Sequence, residues 1–71
     1  MAQSTISVLI NGEDKKLAPH QSIADLLNSL NVPLDRVAIE LNKAIVRKRD
    51  WENTIVAPGS QIEIVEFVGG G

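Results

Sequence analysis

The chain contains no cysteine, which excludes a disulfide staple, a thiolate metal ligand and a cysteine nucleophile, so the fold has to rest on packing. Tyrosine is absent too, and Trp51 and Phe67 are the two aromatic residues. Val, Ile and Leu must therefore fill the core. His20 is the single histidine, and one imidazole ahead of a helix is far more often a solvated loop residue than a base or a ligand. No Gly-Lys-Ser or Gly-Lys-Thr occurs, so no phosphate-cradling loop can be read. Asp25, Asp35 and Asp50 fall in no recognisable metal-binding pattern. A positive balance is lacking as well. The formal net charge is -2, whereas a nucleic-acid binder needs a basic face to displace phosphate counterions. The densest basic cluster, Arg47, Lys48 and Arg49, reads as a short charged turn. No apolar run approaches membrane-spanning length, and residues 1–5 show neither the basic start nor the apolar core of a secretion signal. The expectation is a cytoplasmic protein with no nucleic-acid and no membrane partner.

What is present is ordinary globular material. Of 71 residues, 44% are hydrophobic and 23% charged, far from the composition of disordered chains. The length is about half the commonest domain size, and such a chain hides only about 60% of the surface it exposes when unfolded. One domain with one modest core follows, with little apolar material to wall off a catalytic cavity. That weighs against an enzyme.

Ile6, Val8 and Ile10 recur at a spacing of two, which turns them to one face of a first strand. Asn11-Gly12 is the dipeptide that best tolerates the positive backbone angles of a two-residue hairpin turn, so residues 13–17 return antiparallel. Leu17 alone is apolar there, which suits a charged edge strand. Ser22 stands at a helix cap with Asp25 three residues on. Ile23, Leu26, Leu27 and Leu30 then follow at i, i+3, i+4 and i+7, one apolar stripe of a short helix. Asn31 accepts a left-handed closing conformation and Pro33 prevents continuation. Val37, Ile39 and Leu41 alternate, Asn42-Lys43 offers a turn, and Ala44-Ile45-Val46 resumes an extended run, giving a second hairpin. Residues 47–53 break the pattern as a helical turn or irregular crossover, with Trp51 able to cover the end of the core. Residues 57–60 read as a tight turn. Residues 61–67 form a last strand, with Ile62, Ile64 and Glu66 facing one way and Val65 and Phe67 the other.

The order strand, strand, helix, strand, strand, strand predicts an α+β fold, a mixed sheet with the helix packed across one face. If the helix serves as a right-handed crossover, the first and last strands lie side by side and parallel. One domain spans residues 1–67 and a Gly-rich tail residues 68–71.

The same residues resemble the ThiS family, the sulfur carrier proteins of thiamine thiazole biosynthesis. The matching pieces are the Asn11-Gly12 hairpin, the helix start from Ser22 to Leu27, the run from Val37 to Asn42, Ile45-Val46-Arg47, Trp51 and the Gly-rich end. The resemblance implies the ubiquitin-like β-grasp fold, which agrees with the element order read from periodicity. It also implies that the chain carries sulfur while other proteins catalyse. A ThiF-like adenylating enzyme would join Gly71 to AMP at the expense of ATP. A sulfur donor, such as a cysteine desulfurase, would then displace AMP to leave a thiocarboxylate. A ThiG-like thiazole synthase would take the sulfur. No cofactor is expected on the chain itself.

The tail has its own physical logic. Val68, Gly69, Gly70 and Gly71 span about 13 Å when extended, and glycine meets little steric resistance in unusual backbone conformations. Such a thread enters narrow channels of a partner. A terminal carboxylate, whose ordinary pKa is about 3.5, is ionised at neutral pH and a poor acceptor for nucleophiles, so it needs activation. If the helix covers one sheet face, apolar residues on the other become candidates for docking, with Leu41, Ile45 and Phe67 in view. Alternatives remain open: the related carrier of molybdopterin synthesis, a ubiquitin-like modifier that forms isopeptide bonds, and an interaction module with an inert tail.

Overall fold

The computed structural model describes residues 4–67. Strand β1 (Ile6–Ile10) and strand β2 (Glu13–Leu17) form the first hairpin, followed by helix α1 (Ile23–Leu30) and a 3-10 turn (Leu34–Arg36). Strand β3 (Val37–Leu41) and strand β4 (Ala44–Val46) form the second hairpin. A six-residue 3-10 helix (Lys48–Asn53) then leads to strand β5 (Gln61–Glu66). The sheet order is β2-β1-β5-β3-β4, a mixed five-stranded sheet with one main helix, the ubiquitin-like β-grasp.

Both hairpin turns use positive φ angles that few side chains accept. Asn11 and Gly12 stand at 51° and 84°, and Asn42 and Lys43 at 52° and 71°, the pairing whose twist matches the flanking strands. The turns fix the registers Ile10 opposite Glu13 and Leu41 opposite Ala44. β1 and β5 run parallel, as expected, with Leu9 opposite Gln61 and Ile10 opposite Ile62. β2 is the charged edge strand.

Helix α1 begins at Ser22. The Ser22 hydroxyl accepts the Asp25 backbone N–H at 3.0 Å and the Asp25 carboxylate accepts the Ser22 N–H at 3.2 Å, a reciprocal capping box. The helix ends at Asn31, in left-handed conformation at φ 59°. The sequence signalled both ends. It did not signal that the helix start is also stitched to a distant segment. The Ile23 N–H donates to Thr54 O and the Val56 N–H to Gln21 O, through an isolated bridge between Ser22 and Ile55.

Ile23, Leu26 and Leu27 are fully buried against Val8, Ile39 and Ile62 of the three inner strands. Burying each such side chain is worth about 1.5–3 kcal/mol. Trp51 closes one end of this core, its indole N–H donating to Val46 O at 3.0 Å. The polar side chains that are buried are satisfied: Ser22 by the capping box, and Ser60 by donating to Ala57 O at 2.7 Å.

Replacing Ser22 by Ala should cost about 1 kcal/mol, whereas Ser22→Gly should cost only a few tenths. Urea unfolding checks this: the Ala variant should show a lower midpoint with an unchanged slope, and its thermal midpoint should fall by about 4–8 °C.

Candidate functional site

The structure brings the functional candidates to the end of β5 and to the sheet face opposite α1. β5 receives hydrogen bonds from both hairpin turns. On one side the Asn42 N–H donates to Gln61 O at 2.7 Å while the Asn42 side-chain oxygen accepts the Gln61 N–H at 2.9 Å. On the other, the Asn11 N–H donates to Ile62 O at 2.9 Å. There β1 has already turned away, and the Asn11 side-chain oxygen continues the ladder by accepting the Ile64 N–H at 2.8 Å. A planar amide in a left-handed turn thus replaces a missing strand residue. At its far end β5 stays in the sheet through Phe67, whose N–H donates to Arg36 O at 2.6 Å. Val68, Gly69, Gly70 and Gly71, which the sequence marks as thread and acceptor, lie outside the described residues.

Alternation along the strands sorts the docking candidates. Ile45 and Phe67 are exposed, at 75% and 51%, and Val65 joins them at 56%. Val65 lies opposite Ala38, and Phe67 follows it by two residues on the same face. Ile45 lies opposite Glu40 in the next strand pair. Leu41 turns the other way and is corrected from the docking set. It shares the face of Val37 and Ile39, lies opposite Ile62, and packs against the core. The reading from sequence had not placed Val65 in this set, although its spacing of two from Phe67 was visible.

Glu40 and Glu63 also stand on this outer face, directly opposite one another in the β3–β5 ladder. Directly opposed residues hold their Cβ atoms about 4.5–5.5 Å apart, and like charges so placed destabilise a sheet. Among the described residues the ion pair formed is Lys15–Glu13, at 3.5 Å on the edge strand, so neither opposed glutamate has an ion-pair partner there. Beside them a hollow of about 120 Å³ lies among Leu9, Gly12, Lys43, Gln61, Ile62 and Glu63, small against the usual 300–1,000 Å³ of ligand sites. His20, Asp35 and Asp50 are exposed, as are Arg47, Lys48 and Arg49. Among the described residues no three of His, Asp and Glu gather as a metal site would require, and no helix is long and apolar enough to cross a membrane.

The ThiS family model matches residues 8–71. The chain belongs to the ThiS family. Its relatives include the sulfur carrier protein ThiS of Bacillus subtilis (strain 168), 38% identical over 63 residues that cover 87% of this chain and 96% of that protein. The crystal structure of the thiamine biosynthesis protein ThiS from Geobacter metallireducens superposes with a TM-score of 0.82 at 28% identity, covering 93% of this chain and all of that one. A thiazole synthase of Paramagnetospirillum magneticum is 36% identical over 66 residues, which are 93% of this chain but only 20% of that protein. The chain thus spans a fifth of the length of that thiazole synthase.

Asn11→Ala should lose the left-handed tolerance of asparagine, roughly 1–2 kcal/mol, together with the bond to Ile64, about another 1 kcal/mol. Asn11→Gly should lose the bond alone. Native-state hydrogen exchange separates the two contributions: the Ile64 amide should lose protection in both variants, while global stability falls further in the Ala variant.

Proposed function

We propose that this chain is the sulfur carrier of thiazole construction in thiamine biosynthesis, and that the backbone carboxylate of Gly71 is the group that carries the sulfur. The observation that carries the reading is the family match, which runs to residue 71 itself. Three successive glycines fit it, because a terminus without side chains can enter the active sites of several partners in turn.

The chemistry divides between proteins. In a ThiF-like adenylating enzyme a carboxylate oxygen of Gly71 attacks the α-phosphorus of ATP and pyrophosphate leaves. The acyl adenylate is an electrophile that the free carboxylate is not. A persulfide supplied through a cysteine desulfurase then attacks the carbonyl carbon with its outer sulfur and AMP departs, and a thiol reductant cleaves the resulting acyl disulfide to leave the thiocarboxylate and a new disulfide. A ThiG-like thiazole synthase accepts that sulfur. ATP binds the adenylating partner, and the carrier itself binds no cofactor, works in the cytoplasm and is not an enzyme. The thiazole synthase partner gains support from the relative in Paramagnetospirillum, a protein named thiazole synthase of which one fifth is similar to this chain. Joining two domains covalently sets their effective concentration near the millimolar range, an advantage if they act on one another.

Incubation with ATP, the adenylating enzyme and the sulfur donor should replace one oxygen of the terminal carboxylate by sulfur, read by intact-mass spectrometry. Deleting Gly70 and Gly71 should abolish the exchange while leaving the unfolding midpoint unchanged. Absence of exchange in the full chain, with an adenylating enzyme shown to be active on another carrier, would refute the reading. Complementation of thiamine rather than molybdenum-cofactor auxotrophs should then assign the pathway.

A further inference from the structure

Asn11 carries a reactive group as well as a structural one. Of the five asparagines it alone precedes a glycine, whereas Asn28, Asn31, Asn42 and Asn53 precede Ser29, Val32, Lys43 and Thr54. The main-chain nitrogen of the next residue can attack an asparagine side chain at its amide carbon, and the obstacle to that approach is the next residue's Cβ, which Gly12 lacks. Space is open there too. A Cβ built on Gly12 would meet nothing within 4 Å, and both residues are exposed. Held on one chain, the two groups form an intramolecular pair that reacts when its atoms approach to about 3–3.5 Å in the right alignment.

The fold opposes this approach. The Asn11 side-chain oxygen accepts the Ile64 N–H at 2.8 Å, and its Nδ2 donates to Ile64 O at a long 3.4 Å. Both ends of the amide are thus engaged across the sheet by β5. Ring closure onto Gly12 competes with these two bonds.

We propose that Asn11 is a site of spontaneous deamidation, that release of its side chain from Ile64 sets the rate, and that conversion there unfastens the middle of β5. The inference goes beyond the carrier reading and is independent of what Gly71 bears. In the first step the Gly12 nitrogen gives its proton to solvent base and bonds to the Asn11 Cγ. The Cγ–Nδ2 bond breaks, and the amide nitrogen takes a proton from solvent and leaves as ammonia. Water then opens the succinimide that remains. Cleavage of the ring nitrogen from Cγ yields aspartate, and cleavage from the main-chain carbonyl carbon yields isoaspartate, in which the chain runs through the former side chain. The net change is water in and ammonia out, with one negative charge gained and nothing oxidised or reduced.

Neither product restores the anchor. Aspartate still accepts the Ile64 N–H, but its second oxygen stands where the Nδ2 donor faced Ile64 O. Isoaspartate adds a methylene to the main chain inside a turn whose φ angles of 51° and 84° accompany the Ile10–Glu13 register. The second anchor is spared, because Lys43 keeps a Cβ beside Asn42 and the Asn42 side chain is held by the Gln61 N–H. The modification therefore releases β5 at Ile64 and leaves it fastened at Gln61.

The test keeps the full chain at mildly alkaline pH, folded and in denaturing urea, and follows the tryptic peptide of residues 1–15, in which Asn11 is the one asparagine. Mass spectrometry reads the exchange of NH2 for OH, and chromatography separates isoaspartate from aspartate. Asn11 should convert before the other asparagines in both conditions. Its rate should be about 10–100-fold lower in the folded chain than in urea, because two hydrogen bonds must open first. In urea, where no turn exists, Gly12→Ala should slow the conversion severalfold, which assigns the chemistry to the missing Cβ. The converted protein, separated by its added negative charge on ion exchange, should exchange its Ile64 amide about 5–10-fold faster than the unaltered chain, while the Gln61 amide keeps its protection. Equal rates folded and in urea overturn the proposal, as does earlier conversion at another asparagine, or an Ile64 amide equally protected after conversion. Each of these outcomes leaves the carrier reading to thiocarboxylate formation, which decides it separately.

Discussion

The structure depends on how β5 is held. It is the middle strand of the sheet order, yet its parallel ladder with β1 comprises only Leu9 with Gln61 and Ile10 with Ile62. A strand with so short a ladder on one side would fray toward the chain end. The five-residue antiparallel ladder with β3 holds the other side as far as Glu66, and two asparagines add bonds at the start and middle of the strand. Asn11 and Asn42 occupy left-handed turn positions near φ 50°, a conformation asparagine tolerates at small cost. From there their side chains bond the backbone of β5 at Ile64 and Gln61. One residue type thereby closes each hairpin and anchors the strand that precedes the chain end. Because these bonds act on the backbone, the side chains of β5 remain available to both faces of the sheet.

Those faces are used differently. On one, Ile62 and Ile64 meet the helix stripe of Ile23, Leu26 and Leu27, and the capping box together with the bridge to Ile55 holds the helix start in place. On the other, Glu63, Val65 and Phe67 meet solvent. Period-two alternation makes this division unavoidable once the register is set, since a slip of one residue would bury Glu63 and expose Ile62. The asparagine anchors therefore help to fix which side chains of β5 face the core and which face solvent.

Much of this was legible in the sequence because local rules and the global fold agree. The Asn-Gly turn, the Ser22 cap with Asp25, the Asn31 stop and the alternation of β1, β3 and β5 each rest on neighbours within a few residues. The order of elements then gave a mixed sheet with one helix across it, the resemblance to the ThiS family implied the β-grasp, and Trp51 is indeed buried in the core. What escaped was long-range. The Asn11 bond to Ile64 spans 53 positions, and the stitch between Ser22 and Ile55 leaves no local pattern. Leu41 was ambiguous for a related reason. It can be assigned to the inner face through its period with Val37 and Ile39, but which face of β3 is covered follows only once the helix is seen to pack there. The opposition of Glu40 and Glu63 likewise exists only in the register of two strands far apart in the chain.

That register carries the last step of the argument. A small domain has little stability to spare, about 5–15 kcal/mol for globular proteins in general, so any arrangement that weakens the sheet calls for a reason. Opposing one carboxylate by a neutral side chain would strengthen the β3–β5 ladder, and exchanging Val65 or Ile45 for a polar residue would suit solvent better. The folded monomer gains stability from neither feature. Charge speeds encounter and is sensitive to salt, whereas a wholly apolar patch of the same size would favour self-association. Glu40 and Glu63 thus break up the apolar area of Ile45, Val65 and Phe67, at a cost to the β3–β5 ladder.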